Sequence, residues 1–487
     1  MITELSKLTL TSLSELLKNR EISSKEITEE CLKRISSIEP ELRAFITVWR
    51  ENAIKNAEES DRRRAAGEEL SVIDGIPMSV KDNICTAGIR TTCASHMLES
   101  FVPPFSATVY KKLKESGAIM LGKTNLDEFG MGNSTENSAF FTTVNPIDKA
   151  RTPGGSSGGS AASVFAREAM FSIGSDTGGS VRLPAAYCGI VGLCPTYGAL
   201  SRFGLTAFAS SLDRIGPLAT TARDIYEILP IIYGHDPSDA ASVPDNLRLN
   251  APRTPNGPII GIADEYFGPG ISDEVRSCIL TALSVFENLG YRIERISLPS
   301  LKYALSSYYI ISSAEASSNL SRYDGIRFGH RTRKTVKDIS DLYSASRSEG
   351  FGEEVKRRIL LGTFALSAGE GNKYYQNALK ARALIRSEFK SAFGKCDIIL
   401  SPVSPGLPPL SGKERSPLDS YLEDIYTVPS SLAGLPAISL PCGVASGGLP
   451  VGMQLIGNVF SEYFLLDTAV KFETVSGINC FSFRSAV

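Results

Sequence analysis

Short apolar runs alternate along this 487-residue chain with longer segments whose apolar residues recur at helical spacing, and that alternation restricts the fold more than any other feature. A strand buried on both faces reads as a continuous apolar run, and a helix covering it reads as an apolar stripe. The pattern therefore predicts an α/β fold, a sheet covered by helices on both faces. Strands are expected at residues 76–82, 117–121, 258–263, 291–296, 397–400, 436–440 and 451–456, with a further apolar run at 170–173. Helices are expected at 108–115 and 273–289, the second closing a strand–helix–strand unit. Residues 3–65 read as helical, with Ser23 and Ser24 as capping residues before an apolar stripe. Two irregular stretches interrupt the pattern: 235–258, rich in Pro, Asp and Asn, and the proline-rich 402–417, which is expected to line the site. The expected division is an N-terminal helical segment, 1–65, packed on an α/β domain, 66–487, as one structural unit.

Charge and composition narrow the function. A net charge of −2 argues against bulk electrostatic binding of nucleic acid. No apolar stretch approaches the roughly 20 residues of a membrane span, and the polar–apolar start with Glu4 and Glu15 is neither a signal nor a transit peptide. Nine cysteines without a Cys-x-x-Cys framework suit a reducing, cytosolic setting; Cys188 and Cys194 flank Gly189-Ile190-Val191-Gly192-Leu193, which reads as packed interior. The three histidines, His96, His235 and His330, lie at no ligand spacing to a cysteine or carboxylate, so no metal site is expected.

The chemistry concentrates in two Gly/Ser-rich loops, Gly154-Gly155-Ser156-Ser157-Gly158-Gly159-Ser160 and Ser175-Asp176-Thr177-Gly178-Gly179-Ser180. Glycines crowded around a serine let backbone N–H groups point at a substrate oxygen. Two such loops 24 positions apart (Ser156 to Ser180) suggest a hydroxyl nucleophile, a relay and an oxyanion hole. Other motifs are weaker. Gly117–Thr124 satisfies the phosphate-loop pattern G-x-x-x-x-G-K-[ST], but its four central residues, Ala-Ile-Met-Leu, read as the strand itself and no helix starts at Lys123. Gly154–Gly158 fits the G-x-S-x-G elbow but lacks the apolar strand before it and a credible histidine after it. Asn133-Ser134-Thr135 is a sequon without meaning in a cytosolic chain. With histidine set aside, a lysine can serve as base if burial lowers its pKa. Lys81, at the end of the run 76–80, is the natural candidate, although spacing alone does not select it.

Pro77-Met78-Ser79-Val80-Lys81-Asp82-Asn83, Gly154–Ser160 and Gly174–Arg182 together resemble the amidase signature family. The resemblance implies one large α/β/α domain around a twisted mixed sheet and a Ser–cis-Ser–Lys triad. Carried over, Ser180 is the nucleophile, Ser156 the relay, with a cis peptide at its N-terminal side, and Lys81 the base. The N–H groups of Thr177, Gly178, Gly179 and Ser180 would form the oxyanion hole.

Residues 131–140, 313–325, 357–363 and 421–440 are similar, more narrowly, to the branch formed by the A subunits of glutamyl-tRNA(Gln)/aspartyl-tRNA(Asn) amidotransferases. That branch implies a glutaminase with Arg358 on the glutamine carboxylate, Asp424 on its ammonium and Tyr309 as a further wall. Arg357 adjoins Arg358 and Tyr308 adjoins Tyr309, and the match leaves both choices open. It also implies a cytoplasmic heterotrimer in which a B subunit uses the ammonia, ATP and Mg²⁺ on Glu-tRNA(Gln) and a small C subunit clasps the two, with no cofactor in this chain. Two residues depart from the pattern: Cys194 stands where lysine is usual and Ala199 where arginine is common. Residues 473–487 carry none of the motifs on which the resemblance rests, and their role stays open. The rival reading is a stand-alone amidase, which would share the triad and have no need of Arg358 and Asp424.

Overall fold

The computed structural model of the chain describes residues 7–247, 258–413 and 416–486. Residues 1–6, 248–257, 414–415 and 487 of the expected segments lie outside them. The N-terminal part begins as its capping residues demand. Ser23 Oγ accepts the Glu26 N–H, and the Glu26 carboxylate accepts the Ser23 N–H at 2.9 Å, a reciprocal cap on the helix Ser24–Leu42. The chain then departs from the all-helical expectation, because Phe45–Val48 forms strand β1 before the helix Arg50–Ala66. Four residues are too short a run for periodicity to separate from flanking helices.

The remaining strands are β2 (Pro77–Lys81), β3 (Ile119–Thr124), β4 (Phe171–Asp176), β5 (Val191–Cys194), β6 (Arg214–Ala219), β7 (Ile259–Ala263), β8 (Arg292–Ile296), β9 (Ile398–Pro402), β10 (Ala437–Val444) and β11 (Pro450–Gly457). All belong to one 11-stranded sheet in the order β1-β3-β2-β4-β6-β5-β10-β11-β9-β7-β8. β2 runs parallel to β3 and β4, and β7 parallel to β8 and β9; the other neighbours are antiparallel. The fold is thus the expected α/β class with a mixed sheet. Its two faces carry separate cores. Ile398 and Leu400, Ile438 and Leu440, and Met453 and Leu455 join one apolar cluster. Their alternates Ile399, Ala437 and Ile456 join another, as the two-residue period of a strand requires.

Two strands differ from the sequence reading in instructive ways. β3 runs on through Gly122, Lys123 and Thr124, so the phosphate-loop pattern is extended backbone. Lys123 is fully buried, donating to the Ile84 carbonyl at 2.7 Å and to Thr91 Oγ1 at 2.8 Å, with Asp82 Oδ1 3.4 Å away. β6 went unforeseen because it holds Gly216 and Pro217, residues that ordinarily argue against a central strand. For the site, the decisive feature is that parallel neighbours β2 and β4 end side by side at Lys81 and Asp176. Open α/β sheets receive ligands at such carboxyl ends.

Candidate active site

Lys81 closes β2 with its side chain fully buried. Its Nζ lies 2.7 Å from Ser156 Oγ, 2.8 Å from Ser157 Oγ and 2.9 Å from Ser175 Oγ, and it donates to the Ser175 carbonyl at 3.2 Å. No carboxylate is among these partners. Burial therefore pulls the lysine down to about 7, although the more distant carboxylates Asp127, Asp176 and Asp213 oppose the shift. A lysine so placed is available as a neutral amine near neutrality.

The first Gly/Ser loop brings Ser156 to this amine through a cis Gly155–Ser156 peptide bond. Ser157 then leads into the helix Gly158–Phe165. Residues 127–137 cradle the loop: Thr135 Oγ1 donates to the Gly154 carbonyl at 2.8 Å and accepts the Gly158 N–H at 3.1 Å. Asp127 in turn holds that segment, accepting from the N–H groups of Thr135 and Asn137 at 2.9 and 3.1 Å. Burial pushes the Asp127 carboxyl up to about 6 against those bonds.

The second loop runs from β4 to the helix Arg182–Tyr187. Asp176 and Arg182 clamp its two ends in a buried, two-pronged pair, Nε to Oδ2 and Nη2 to Oδ1 both at 3.0 Å. Arg182 also donates to the Thr427 carbonyl, Ser430 Oγ, Ser431 Oγ and Gln454 Oε1, so its donors are well used. Although burial opposes it, the cationic pair of Arg182 and Arg214 holds the Asp176 carboxyl well below the usual range. Between the clamped ends, Gly178 and Gly179 pass close to other residues. A Cβ at Gly178 would lie 2.5 Å from Tyr308 Cζ, and one at Gly179 (φ +144°) 2.7 Å from Thr427 Cβ. Glycine is required at both. Thr427 Oγ1 donates to the Gly178 carbonyl at 2.6 Å and so fixes which way that peptide faces. Among the described residues, no protein acceptor engages the N–H groups of Gly178, Gly179 and Ser180.

Ser157 N donates to the Ser180 carbonyl at 3.0 Å, which ties the two loops together. The structure thus joins Lys81 and Ser156 directly and Ser180 through the adjoining backbone; the Ser180 hydroxyl itself has no hydrogen bond among the described residues. Hydrogen bonds at reaction centres often close only once substrate is bound.

Beside this centre lies a second cluster. Tyr309, on the helix Ala304–Leu320, donates its hydroxyl to Asp424 Oδ2 at 2.7 Å. Arg358, on the helix Glu353–Leu366, places its guanidinium 4.5 Å from the Tyr309 ring centre and 5.0 Å from that of Tyr421. It is only 3% exposed, and its Nη1 has no partner among the described residues. Arg357 turns outward, half-exposed, to the outer oxygen of Glu354. Tyr308 lies instead against Gly178, so of the two adjacent pairs it is Arg358 and Tyr309 that gather around Asp424. Burial raises the Asp424 carboxyl to about 7, while Tyr309 and Arg358 pull it back. Thr427 joins the two clusters, since its N–H donates to the Asp424 carbonyl at 3.2 Å while its hydroxyl holds Gly178.

Several contributors escaped the sequence reading. Asp176 pairs with Arg182 six positions on and Asp127 holds Thr135 and Asn137 eight and ten positions on, turns that no regular period marks, while Thr427 and the outer bonds of Arg182 join segments more than 240 positions apart. Asn133, met there in a sequon and in the segment 131–140 but given no role, is buried, donating from Nδ2 to the Ser420 carbonyl at 2.6 Å close to Asp424. Cys194 is buried beside Asp176 and Arg214, where burial pushes its thiol up to about 12 and keeps it neutral. Among the described residues, no cluster of His, Cys, Asp and Glu is arranged to hold a metal ion, and no helix is long and apolar enough to cross a membrane.

Comparison with known proteins shows the family and the fold. The family model "Amidase" matches residues 26–466. The A subunit of the glutamyl-tRNA(Gln) amidotransferase of Thermoanaerobacter pseudethanolicus is 52% identical over 484 residues, covering 98% of each chain. The crystal structure of the corresponding A subunit from Thermotoga maritima, also a glutamyl-tRNA(Gln) amidotransferase, superposes with a TM-score of 0.80 at 41% identity, covering 97% of this chain and 95% of that one. The native peptide amidase of Stenotrophomonas maltophilia shares the fold at a TM-score of 0.77 and 27% identity, with 98% of each chain covered.

Proposed function

The chain belongs to the amidase family, and from that premise we propose that it is the glutaminase subunit of a tRNA-dependent amidotransferase, with Lys81, Ser156 and Ser180 as its triad. Neutral Lys81 takes the Ser156 proton as Ser156 takes that of Ser180, and Ser180 Oγ attacks the side-chain amide carbon of glutamine. The N–H groups of Thr177, Gly178, Gly179 and Ser180 receive the oxyanion, each such donor being worth about 10²–10³ in rate. Collapse breaks the C–N bond, the proton returns through Ser156 to the leaving nitrogen, and ammonia departs. Water then resolves the glutamyl ester on Ser180 along the same relay.

One observation carries the choice of glutamine over simple amides: a buried guanidinium whose Nη1 has no partner among the described residues shares a cluster with a buried carboxyl through Tyr309, next to the Gly178 loop. A free α-amino acid presents a carboxylate and an ammonium, and Arg358 and Asp424 match them, with Tyr309 as the wall between. The ammonia would pass to a partner B subunit, which with ATP and Mg²⁺ converts Glu-tRNA(Gln), with Asp-tRNA(Asn) as a second acceptor, while a small C subunit clasps the two in a cytoplasmic heterotrimer. This chain's near-neutral charge suits a subunit that leaves most tRNA contact to its partner.

The test is ammonia release from glutamine and from simple aliphatic amides by the chain co-expressed with B and C subunits. Exchanging the two charges (Arg358→Asp with Asp424→Arg) is expected to abolish glutamine hydrolysis. Turnover of simple amides with inert glutamine in the wild type would replace this reading with a stand-alone amidase.

A further inference from the structure

The pocket contains a residue with no counterpart in the reading of the sequence. Glu354 stands four positions before Arg358 on the helix Glu353–Leu366, so the two share a face. Its Oε1 accepts Arg358 Nε at 2.7 Å and the Tyr421 hydroxyl at 3.0 Å, while Arg357 takes Oε2 from the outside. Tyr421 also stacks on Tyr309, ring centres 3.9 Å apart and 23° from parallel. Glu354 therefore meets a cation on each oxygen and the Tyr421 hydroxyl on Oε1 as well, which leaves its carboxylate one orientation.

An ion pair spaced i, i+4 on a helix is ordinarily a solvated surface feature of little consequence. This one differs, because Arg358 is buried and keeps Nη1 without a partner among the described residues. A buried, half-satisfied guanidinium is unfavourable for stability, so its retention points to a ligand. Glu354 occupies the Nε side of the fork and the aromatic rings cover its face. The edge that keeps the unpartnered Nη1 is the one that a carboxylate would take in two-pronged fashion.

We propose that Glu354, braced by Tyr421, is the positioning residue that turns Arg358 toward the substrate's α-carboxylate, so that selection of free glutamine over amides lacking that group depends on it. The proposal rests on the glutaminase reading above. Glu354 acts as an oriented acceptor rather than through its charge, since a second anion beside Arg358 repels the substrate carboxylate. A glutamine side chain at 354 keeps an acceptor oxygen and removes the charge; alanine removes both.

The experiment compares kcat/KM for glutamine and for 4-aminobutanamide, which is glutamine without its α-carboxylate, in the chain co-expressed with B and C subunits. Glu354→Ala is expected to lower the glutamine to 4-aminobutanamide ratio about tenfold, mainly through KM for glutamine, as loss of a charged hydrogen bond implies. Tyr421→Phe lowers the ratio less, and Glu354→Gln restores it to within about twofold of wild type. Equal losses on both substrates in Glu354→Ala would reveal a merely structural role, and a Glu354→Gln variant as poor as alanine would show that charge matters; either overturns the proposal. Arg358→Met separates the two levels. If it leaves the ratio intact, the glutamine pocket itself is wrong and this inference falls with it; if it collapses the ratio while Glu354→Ala does not, only the role of Glu354 fails.

Discussion

At the scale of single residues, two titrations govern the account. Lys81 is pulled down to about 7 by burial, and the base must be neutral to accept a proton. Asp424 is pushed up to about 7 by burial, and it must be ionised to meet an ammonium. Both groups are competent above that pH and both are lost as pH falls through it. The limb of kcat/KM for glutamine should therefore drop on the acid side of pH 7 more steeply than one ionisation allows. Substrate bound in the pocket holds Asp424 ionised, so kcat should retain only the Lys81 limb. Steady-state profiles on wild type and Asp424→Asn check this: the variant should show a single-ionisation limb, and an unchanged steep limb would contradict the assignment. At this scale the sequence offered candidates: the glycine–serine loops suggested an oxyanion site, and the family resemblance, not spacing, singled out Lys81 at the end of an apolar run. What could not be read was which of Arg357 and Arg358 faces inward, because both lie on one helix and only the packing of Tyr309, Tyr421 and Glu354 separates them.

At the scale of elements, the second loop is held by the fold rather than by its own sequence. Asp176 ends β4, Arg182 opens the next helix, and Arg182 reaches on to Thr427, Ser430, Ser431 and Gln454. The pair is wholly buried, so removing one partner strands the other charge. Arg182→Met should cost about 3–5 kcal/mol of stability in denaturant titration, with activity lost beyond what unfolding explains. A change of under about 1 kcal/mol, the value of an exposed pair, would show that the clamp is dispensable. The elements themselves were legible where chemistry was simple: β7 is a continuous apolar run, β2 and β11 are mostly apolar apart from Ser79, Lys81 and Gln454, and the cap at Ser23 opens a helix as expected. β1 was hidden by its brevity between two helices, β6 by Pro217, and the last half of β3 by a buried lysine that pairs with Asp82.

At the scale of the whole molecule, the site is assembled from segments that are far apart in the chain. Lys81 comes from the middle strand of the parallel trio β3-β2-β4, Ser156 and Ser180 from loops on either side of β4, and the second cluster from helices after residue 300 and the connector before β10. No periodicity in the sequence carries the strand order that brings them together, which is why the fold class could be inferred and the arrangement could not. The central claim is that Ser180 forms a glutamyl ester whose amide nitrogen leaves as ammonia. Hydroxylamine intercepts such an ester, giving γ-glutamyl hydroxamate and freeing the serine. We would incubate the chain, co-expressed with B and C subunits, with glutamine and hydroxylamine, and assay ammonia and hydroxamate together. The account predicts both products from wild type and neither from Ser180→Ala, a loss of at least about 10⁴-fold. Ammonia released by Ser180→Ala at a rate near wild type would contradict it.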